Sequence, residues 1–367
     1  MKKTIDSGGN LVSTDERPEI RAGFVGCGSH AFRNIYPTLQ FVPVDLVATC
    51  DVDAESADAY ADQFGAERSY EDYHEMLDAE SLDAVFAVLN YDENGRPKYP
   101  QVATDAMRAG CHAWIEKPPA ASTDEIRDLK RVETETDQFV HVGFKKVYNP
   151  AVEKAKEITE RDEFGSINTI YVRYPESLPD RAQPGEQLTH DSSLVGLLDH
   201  LVHPGSIMSY LGGPMKSVQV SASGDGGGFV SIHFQSGALG TIHMAAGDSG
   251  SSPLERLEVI GNGANVVVKN GIELEYYRPY EKGPYGRTTN FVDGEGEAPI
   301  QWKPDFSLGQ LYNKNLFILG YHGEIMDFAE SCLTGISPEK AGTDMAFELL
   351  ELYEAVLQGE NRKVTLS

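Results

Sequence analysis

The stretch from Cys111 to Ala120, CHAWIEKPPA, ends a short apolar run in an acid and a base, Glu116 and Lys117, and stops it with Pro118 and Pro119. Prolines lack the backbone N–H that a strand's ladder requires, so the pattern predicts a strand that ends at about Lys117. In an open α/β sheet a ligand lies beyond the carboxyl ends of the strands, where an ammonium can hydrogen-bond a reacting hydroxyl. The alternative for Lys117 is a solvated surface lysine, as most lysines are. A second candidate pair lies in LLDHLVHPG, where Asp199 and His203 are four residues apart and share one face of a predicted helix. The preceding LVGLL implies that this face is partly buried. A histidine accepts a proton near neutral pH, and a nearby carboxylate stabilises its charged form and fixes its orientation. His200 falls on a different face. Competing interpretations are a structural buried histidine, an Asp199 paired with a base, and a metal site using His200 and His203. The metal site is disfavoured because no cysteine joins the pair and His190 lies outside the predicted helix.

The elements that must position these residues alternate. IRAGFVG, VDLVATCD, LDAVFAVLN, CHAWIE and FVHVGF are predicted strands, separated by helical stretches such as AESADAYADQF, PQVATDAMRAG and STDEIRDLKRVETET. In the last, Ser122 and Glu125 have the spacing of a capping box. This alternation implies an α/β unit with a doubly wound parallel sheet over residues 20–145. Its first strand runs into Gly26-Cys27-Gly28-Ser29-His30-Ala31, a G-x-G-x-x-A pattern opening a helix. Gly26 permits the tight turn, Gly28 lets the backbone approach a pyrophosphate, and Ala31 lets the helix pack closely on its strand. Asp51 ends the second strand 25 positions after Gly26, where a carboxylate accepts hydrogen bonds from an adenosine ribose and repels a 2′-phosphate. Asp53 follows and no arginine occurs before Arg68, which favours NAD over NADP.

Residues 146–367 differ in character. After the helical NPAVEKAKEI and the strand INTIYVRYP comes the helix that carries Asp199 and His203. It is followed by KSVQVSAS, GFVSIHF, ALGTIHMAA, RLEVIG, ANVVVK and IELEYY, consecutive strands that predict a mainly antiparallel sheet. The polar stretch from Arg278 to about Gly309 is expected to be a long loop, and HGEIMDFAESCL and TDMAFELLELYEAVL close the chain as helices. Residues 1–19 are expected to be a flexible tail without the apolar core of an export signal. The 31 basic and 57 acidic residues give a formal charge of −26, which disfavours nucleic acid and anionic membranes as partners. The four cysteines form no C-x-x-C pair and suit reduced thiols in a cytoplasm.

Taken in order, GFVGCGSHA, the strand end at Asp51, EKP at 116–118, GFKKVYNPA and DHLVH followed by YLGGP resemble the Gfo/Idh/MocA oxidoreductases. The resemblance covers nearly everything after residue 19. It implies a Rossmann domain followed by an α+β domain whose large open sheet often serves oligomerisation, here as a homodimer or homotetramer. It implies that Lys117, Asp199 and His203 surround the substrate carbon and the nicotinamide, and that Gly26, Cys27, Gly28, His30, Ala31, Asp51, Asn90, Glu116 and Lys117 contact the cofactor. In relatives the Lys-Pro bond is often cis. Departures occur where relatives carry a TPN turn with a histidine soon after, since this chain has Leu89 before Asn90, a longer loop, and Tyr99 in the histidine's place. The usual Asn-x-Arg appears as Lys145-Lys146-Val147, with Lys145 an expected substrate contact.

The expected activity is NAD-dependent hydride transfer from a secondary hydroxyl of a sugar, sugar derivative or cyclitol, with no metal. His203 takes the proton, Asp199 orients it and Lys117 polarises the oxygen. The alternatives carried by the same resemblance are a redox-neutral NAD-dependent glycosidase and a dinucleotide-sensing regulator without turnover.

Overall fold

Six strands of the N-terminal half pair in parallel in the order β3-β2-β1-β4-β5-β6. They are β1 (Ile20–Val25), β2 (Val44–Cys50), β3 (Arg68–Tyr70), β4 (Ala84–Ala87), β5 (His112–Ile115) and β6 (Val140–Val142). The computed structural model describes residues 18–178, 192–251, 254–279, 298–304, 314–360 and 362–367. Most of the expected tail, His190 and much of the expected loop from Arg278 to Gly309 lie outside the described residues. Every residue of β4 and of β6 is buried, as in a parallel sheet covered on both faces. The short β3 was not among the predicted strands, because its three residues are half-buried or exposed and carry no apolar run.

Helices fill the connections. A π-helical turn, Ala31–Ile35, runs into α1 (Tyr36–Thr38), and α2 (Ala54–Phe64), α3 (Tyr73–Ala79), α4 (Tyr99–Arg108) and α5 (Thr123–Thr136) follow. The expected capping box at Ser122 is not formed. The side chain of Ser122 makes no cap, the N–H of Thr123 is taken by Glu354 at 2.8 Å, and Glu125 accepts instead from the N–H of Ala121 at 2.7 Å.

The second half begins at a 3₁₀ turn, Lys145–Tyr148, and α6 (Pro150–Thr159), then forms β7 (Thr169–Tyr174) and α7 (Ser192–Gly212). Further strands are β8 (Met215–Ala222), β9 (Gly228–Phe234), β10 (Leu239–Met244), β11 (Arg256–Ile260), β12 (Asn265–Lys269), β13 (Glu273–Tyr277), β14 (Ile300–Trp302) and, at the chain's end, β15 (Lys363–Thr365). They make one nine-stranded sheet, ordered β14-β13-β12-β11-β7-β10-β9-β8-β15, in which only β7 and β10 pair in parallel. One face packs on α6 and α7, while Phe229, Leu239, Ile260 and Tyr277 remain exposed.

The division at 145/146 separates the sheets, but the covering helices cross it. The helices α8 (Lys314–Ile318), α9 (Tyr321–Thr334) and α10 (Thr343–Leu357) return to the N-terminal half. Phe328 and Ile325 of α9 are buried with Phe24, Phe86 and Trp114 of the parallel sheet, and the Phe86 and Phe328 rings meet edge to face at 5.2 Å. The opposite face of that sheet, through Val25, Val85 and Ile115, belongs to a core that continues into the second half through Val147, Leu201 and Ile170. Two packed layers thus hold the carboxyl edge of the parallel sheet against α7.

Candidate active site

The glycine turn is where the geometry of the site starts. Gly26 has φ +108°, and a Cβ there would stand 2.0 Å from the carbonyl oxygen of Val88, so no side chain fits. Gly28 is the opposite case, because a Cβ there would meet nothing within 4 Å. The protein itself leaves the space above Gly28 free, at the start of the helical turn where unpaired N–H groups face an anion. Such a cradle fits a dinucleotide's pyrophosphate. Ala31 and Cys27 are buried in the turn itself, and burial, opposed by the Tyr36 hydroxyl, pushes the Cys27 thiol up to about 11. Cys27 therefore serves through its backbone, whose N–H donates to Asp51 Oδ2 at 2.7 Å.

Asp51 also accepts from the N–H of Asp53 at 3.0 Å, so both carboxylate oxygens are anchored at the end of β2. From here a cleft of about 1160 Å³ runs along the carboxyl edge of the parallel sheet. It is lined by Gly26, Gly28, His30, Asp51, Asn90, Glu116, Lys117 and Asp199, which are eight of the residues that the sequence singled out. Glu71 and Asp72 join Asp51 as carboxylates on the lining; they were not foreseen, since they follow the weakly patterned β3.

At the end of β5 the strand delivers Glu116 and Lys117 as expected, and the Lys117-Pro118 peptide is cis. Glu116 is buried and accepts from His30 Nε2 at 2.8 Å and from the N–H of Lys117 at 2.9 Å, tying the strand end to the glycine turn. The Lys117 ammonium crosses to α7 and meets Asp199 Oδ1 at 2.8 Å. Lys117 and Asp199, 82 residues apart, are thus one ion pair at the cleft.

His203 lies one turn further along α7, buried, with its ring centroid 6.0 Å from that of Tyr174. Pro204, next along the helix, lacks the N–H that would bond the carbonyl of His200. Burial, followed by the charges of Lys117, Lys146 and Lys145, holds the His203 imidazole well below its usual range, in the neutral form. The expected orientation of His203 by Asp199 is not what the geometry provides. Spacing put the two on one helix face, yet the Asp199 carboxylate is drawn to the ammonium of Lys117 and to the hydroxyl of Tyr91 at 3.0 Å. Asp199 is therefore an anchor for Lys117. His200 stands 3.1 Å from Glu176 and 3.8 Å from Asp199, and among the described residues no group of three or more His, Cys, Asp or Glu side chains is placed to hold a metal ion.

Lys145 is half-buried behind this pair. Its ammonium donates to the Tyr321 hydroxyl at 2.5 Å and lies 4.2 Å from the centre of that ring. Burial and the neighbouring Lys146 hold it below its ordinary value. Lys146 is neutralised by Glu255 at 2.6 Å. Glu324 of α9 is wholly buried, and neither of its oxygens has a hydrogen-bond partner among the described residues. Burial and the nearby Glu116 raise it well above the usual carboxylate range, with Lys145 opposing. A lone Glu within an amphipathic helix gave no sign of this in the sequence.

A parallel sheet in this strand order, a glycine turn with a free cradle, and acidic anchors at the second strand define a dinucleotide-binding protein of the Rossmann type. Two family models match the chain: the oxidoreductase family, NAD-binding Rossmann fold, over residues 20–144, and the GFO/IDH/MocA C-terminal domain over residues 152–267. The chain belongs to the Gfo/Idh/MocA oxidoreductase family. It is 26% identical over 160 residues to the inositol 2-dehydrogenase of Salmonella typhimurium, covering 42% of this chain and 46% of that protein, so the match spans about half of that relative's length. It is 26% identical over 270 residues to the scyllo-inositol 2-dehydrogenase (NAD(+)) of Bacillus subtilis, covering 68% of this chain and 74% of that one. A levoglucosan dehydrogenase solved in complex with NADH and L-sorbose shares the fold at TM-score 0.75 and 18% identity, over 96% of this chain and all of the other.

Proposed function

We propose that this protein is an NAD-dependent dehydrogenase acting on a secondary hydroxyl of a sugar, sugar derivative or cyclitol. The observation that carries the proposal is the Lys117–Asp199 ion pair at 2.8 Å, which joins the two halves of the molecule on the cleft that Gly28 also lines. Support also comes from the two inositol dehydrogenases among its relatives. When bound, NAD supplies the hydride acceptor. Gly26, Gly28 and the N-terminus of the following helix would hold its pyrophosphate, Asp51 its adenosine ribose, and Glu116, Lys117 and Asn90 the nicotinamide end. The carboxylates Asp51, Glu71 and Asp72 along one cleft favour NAD over NADP, because they would repel a 2′-phosphate.

In this scheme Lys117 hydrogen-bonds the substrate oxygen and stabilises its developing negative charge, Asp199 holds Lys117 in place, and neutral His203 receives the hydroxyl proton. Lys145, already tied to Tyr321, borders the substrate. The free cysteines Cys27, Cys50, Cys111 and Cys332 are consistent with a reducing cytoplasm, and the exposed face of the nine-stranded sheet with a homodimer or homotetramer. The test is a panel of sugars, sugar acids, inositols and nitrophenyl glycosides incubated with NAD and with NADP, followed by absorbance of the reduced cofactor and of released nitrophenol. Stoichiometric NADH from at least one polyol is expected; release of an aglycone from glycosides without NADH would overturn net oxidation, and inertness across the panel would overturn the substrate class.

A further inference from the structure

The loop between β4 and α4 is built to a definite shape. Tyr91 and Pro97 form a bridge, the N–H of Asp92 donates to the carbonyl of Arg96 at 2.9 Å, and Asp92 Oδ1 accepts from the N–H groups of Asn94 and Arg96, each at 2.8 Å. Arg96 is fixed to Glu125 of α5 at 2.6 Å. Tyr99 closes the loop's base, its hydroxyl donating to the carbonyl of Leu89 at 2.8 Å. The product of this construction is the position of Tyr91, which lines the cleft and reaches across to α7.

There its hydroxyl donates to Asp199 Oδ1 at 3.0 Å, the same oxygen that the Lys117 ammonium meets at 2.8 Å. Asp199 has another partner within reach, since its Oδ2 is 3.8 Å from His200 Nε2 and its side chain is partly exposed. Left to itself, a carboxylate between an ammonium and an imidazole samples both. The phenol biases it towards Lys117. Burial, then Asp199 itself, pushes the Tyr91 hydroxyl above its ordinary range, so it remains a neutral donor throughout the working pH.

We infer that Tyr91 is a positioning residue of the dehydrogenase: its hydroxyl fixes the Asp199 carboxylate and, through it, aims the Lys117 ammonium at the substrate oxygen. The inference rests on the polyol dehydrogenase proposed above, and it makes this loop part of the reaction's machinery.

The experiment is a double-mutant cycle with Tyr91→Phe, Asp199→Ala and the pair of substitutions together, in the full chain. The first readout needs no substrate: the rate of Lys117 arylation by trinitrobenzenesulfonate at one pH, followed by mass spectrometry of the Lys117 peptide. Arylation should be severalfold faster in Tyr91→Phe than in the parent, faster again in Asp199→Ala, and no faster in the double variant than in Asp199→Ala alone. The second readout is turnover of whichever polyol yields NADH. Here Tyr91→Phe should lower kcat about tenfold, as expected for losing one hydrogen bond to a charged group, with KM for NAD unchanged. In the Asp199→Ala background the same change should add nothing. Parental arylation in Tyr91→Phe, or additive effects in the double variant, overturns the inference, because a tyrosine that merely supports its loop would act independently of Asp199. Coupled arylation with no polyol turned over by the parent would sink the substrate class and leave the positioning role standing.

Discussion

Gly26 and Gly28 are two residues apart and answer to different masters. Gly26 is required by the fold, since any Cβ collides with the Val88 carbonyl and its backbone lies at positive φ. Gly26→Ala should cost at least about 2 kcal/mol of stability in denaturant unfolding. Gly28 has open space above it, so Gly28→Val should leave the unfolding midpoint nearly unchanged while weakening NAD binding at least about tenfold by calorimetry. Equal stability losses in the two variants would contradict the assignment. Asp51 belongs to the same scale. Asp51→Asn keeps an acceptor for the Cys27 N–H but removes the charge, and should narrow the preference for NAD over NADP about tenfold in kcat/KM. These residues were legible because each glycine and the acid stand at fixed offsets from a strand end. Tyr91 was not, because its role depends on a contact 108 residues away.

At the scale of elements, α9 brings a wholly buried acid, Glu324, to the vicinity of Glu116 and Lys145. A carboxyl raised above its unfolded value of 4.5 binds more protons in the folded than in the unfolded state. The stability linked to it is fully present below pH about 4.5 and declines as pH rises towards its folded value. Glu324→Gln should therefore melt higher than the parent at pH 8, with the difference shrinking towards pH 4 in thermal scans. A pH-independent difference would show that Glu324 is ionised in the fold. Most elements were legible from the sequence through apolar alternation, and the helix Thr343–Leu357 coincides with its predicted bounds. What was not legible was short or decided at long range: β3, β14 and β15 have three residues each, and the N-terminus of α5 is satisfied by Glu354 rather than by its own Ser122. The spacing of Asp199 and His203 correctly put them on one helix, but spacing carries no information about which side chain approaches from another element. Lys117 claimed the carboxylate.

At the scale of the molecule, the C-terminal helices lock the halves together, so the cleft is a property of the whole chain. Phe328 of α9 fills the space against Phe86 and His141 of the parallel sheet and Phe139 just before β6. Phe328→Ala should cost about 3–5 kcal/mol and lower the unfolding of both halves in one transition by calorimetry. Two separated transitions, with only one displaced, would show independent units. The most direct test of the site is a crystal structure with NADH. It should place the nicotinamide ring in the cleft at the end of β5, with the Lys117 ammonium and the His203 imidazole facing the same side of its reactive carbon. A ring bound elsewhere, or a His203 that opens onto a different cavity from Lys117, would contradict the proposed chemistry.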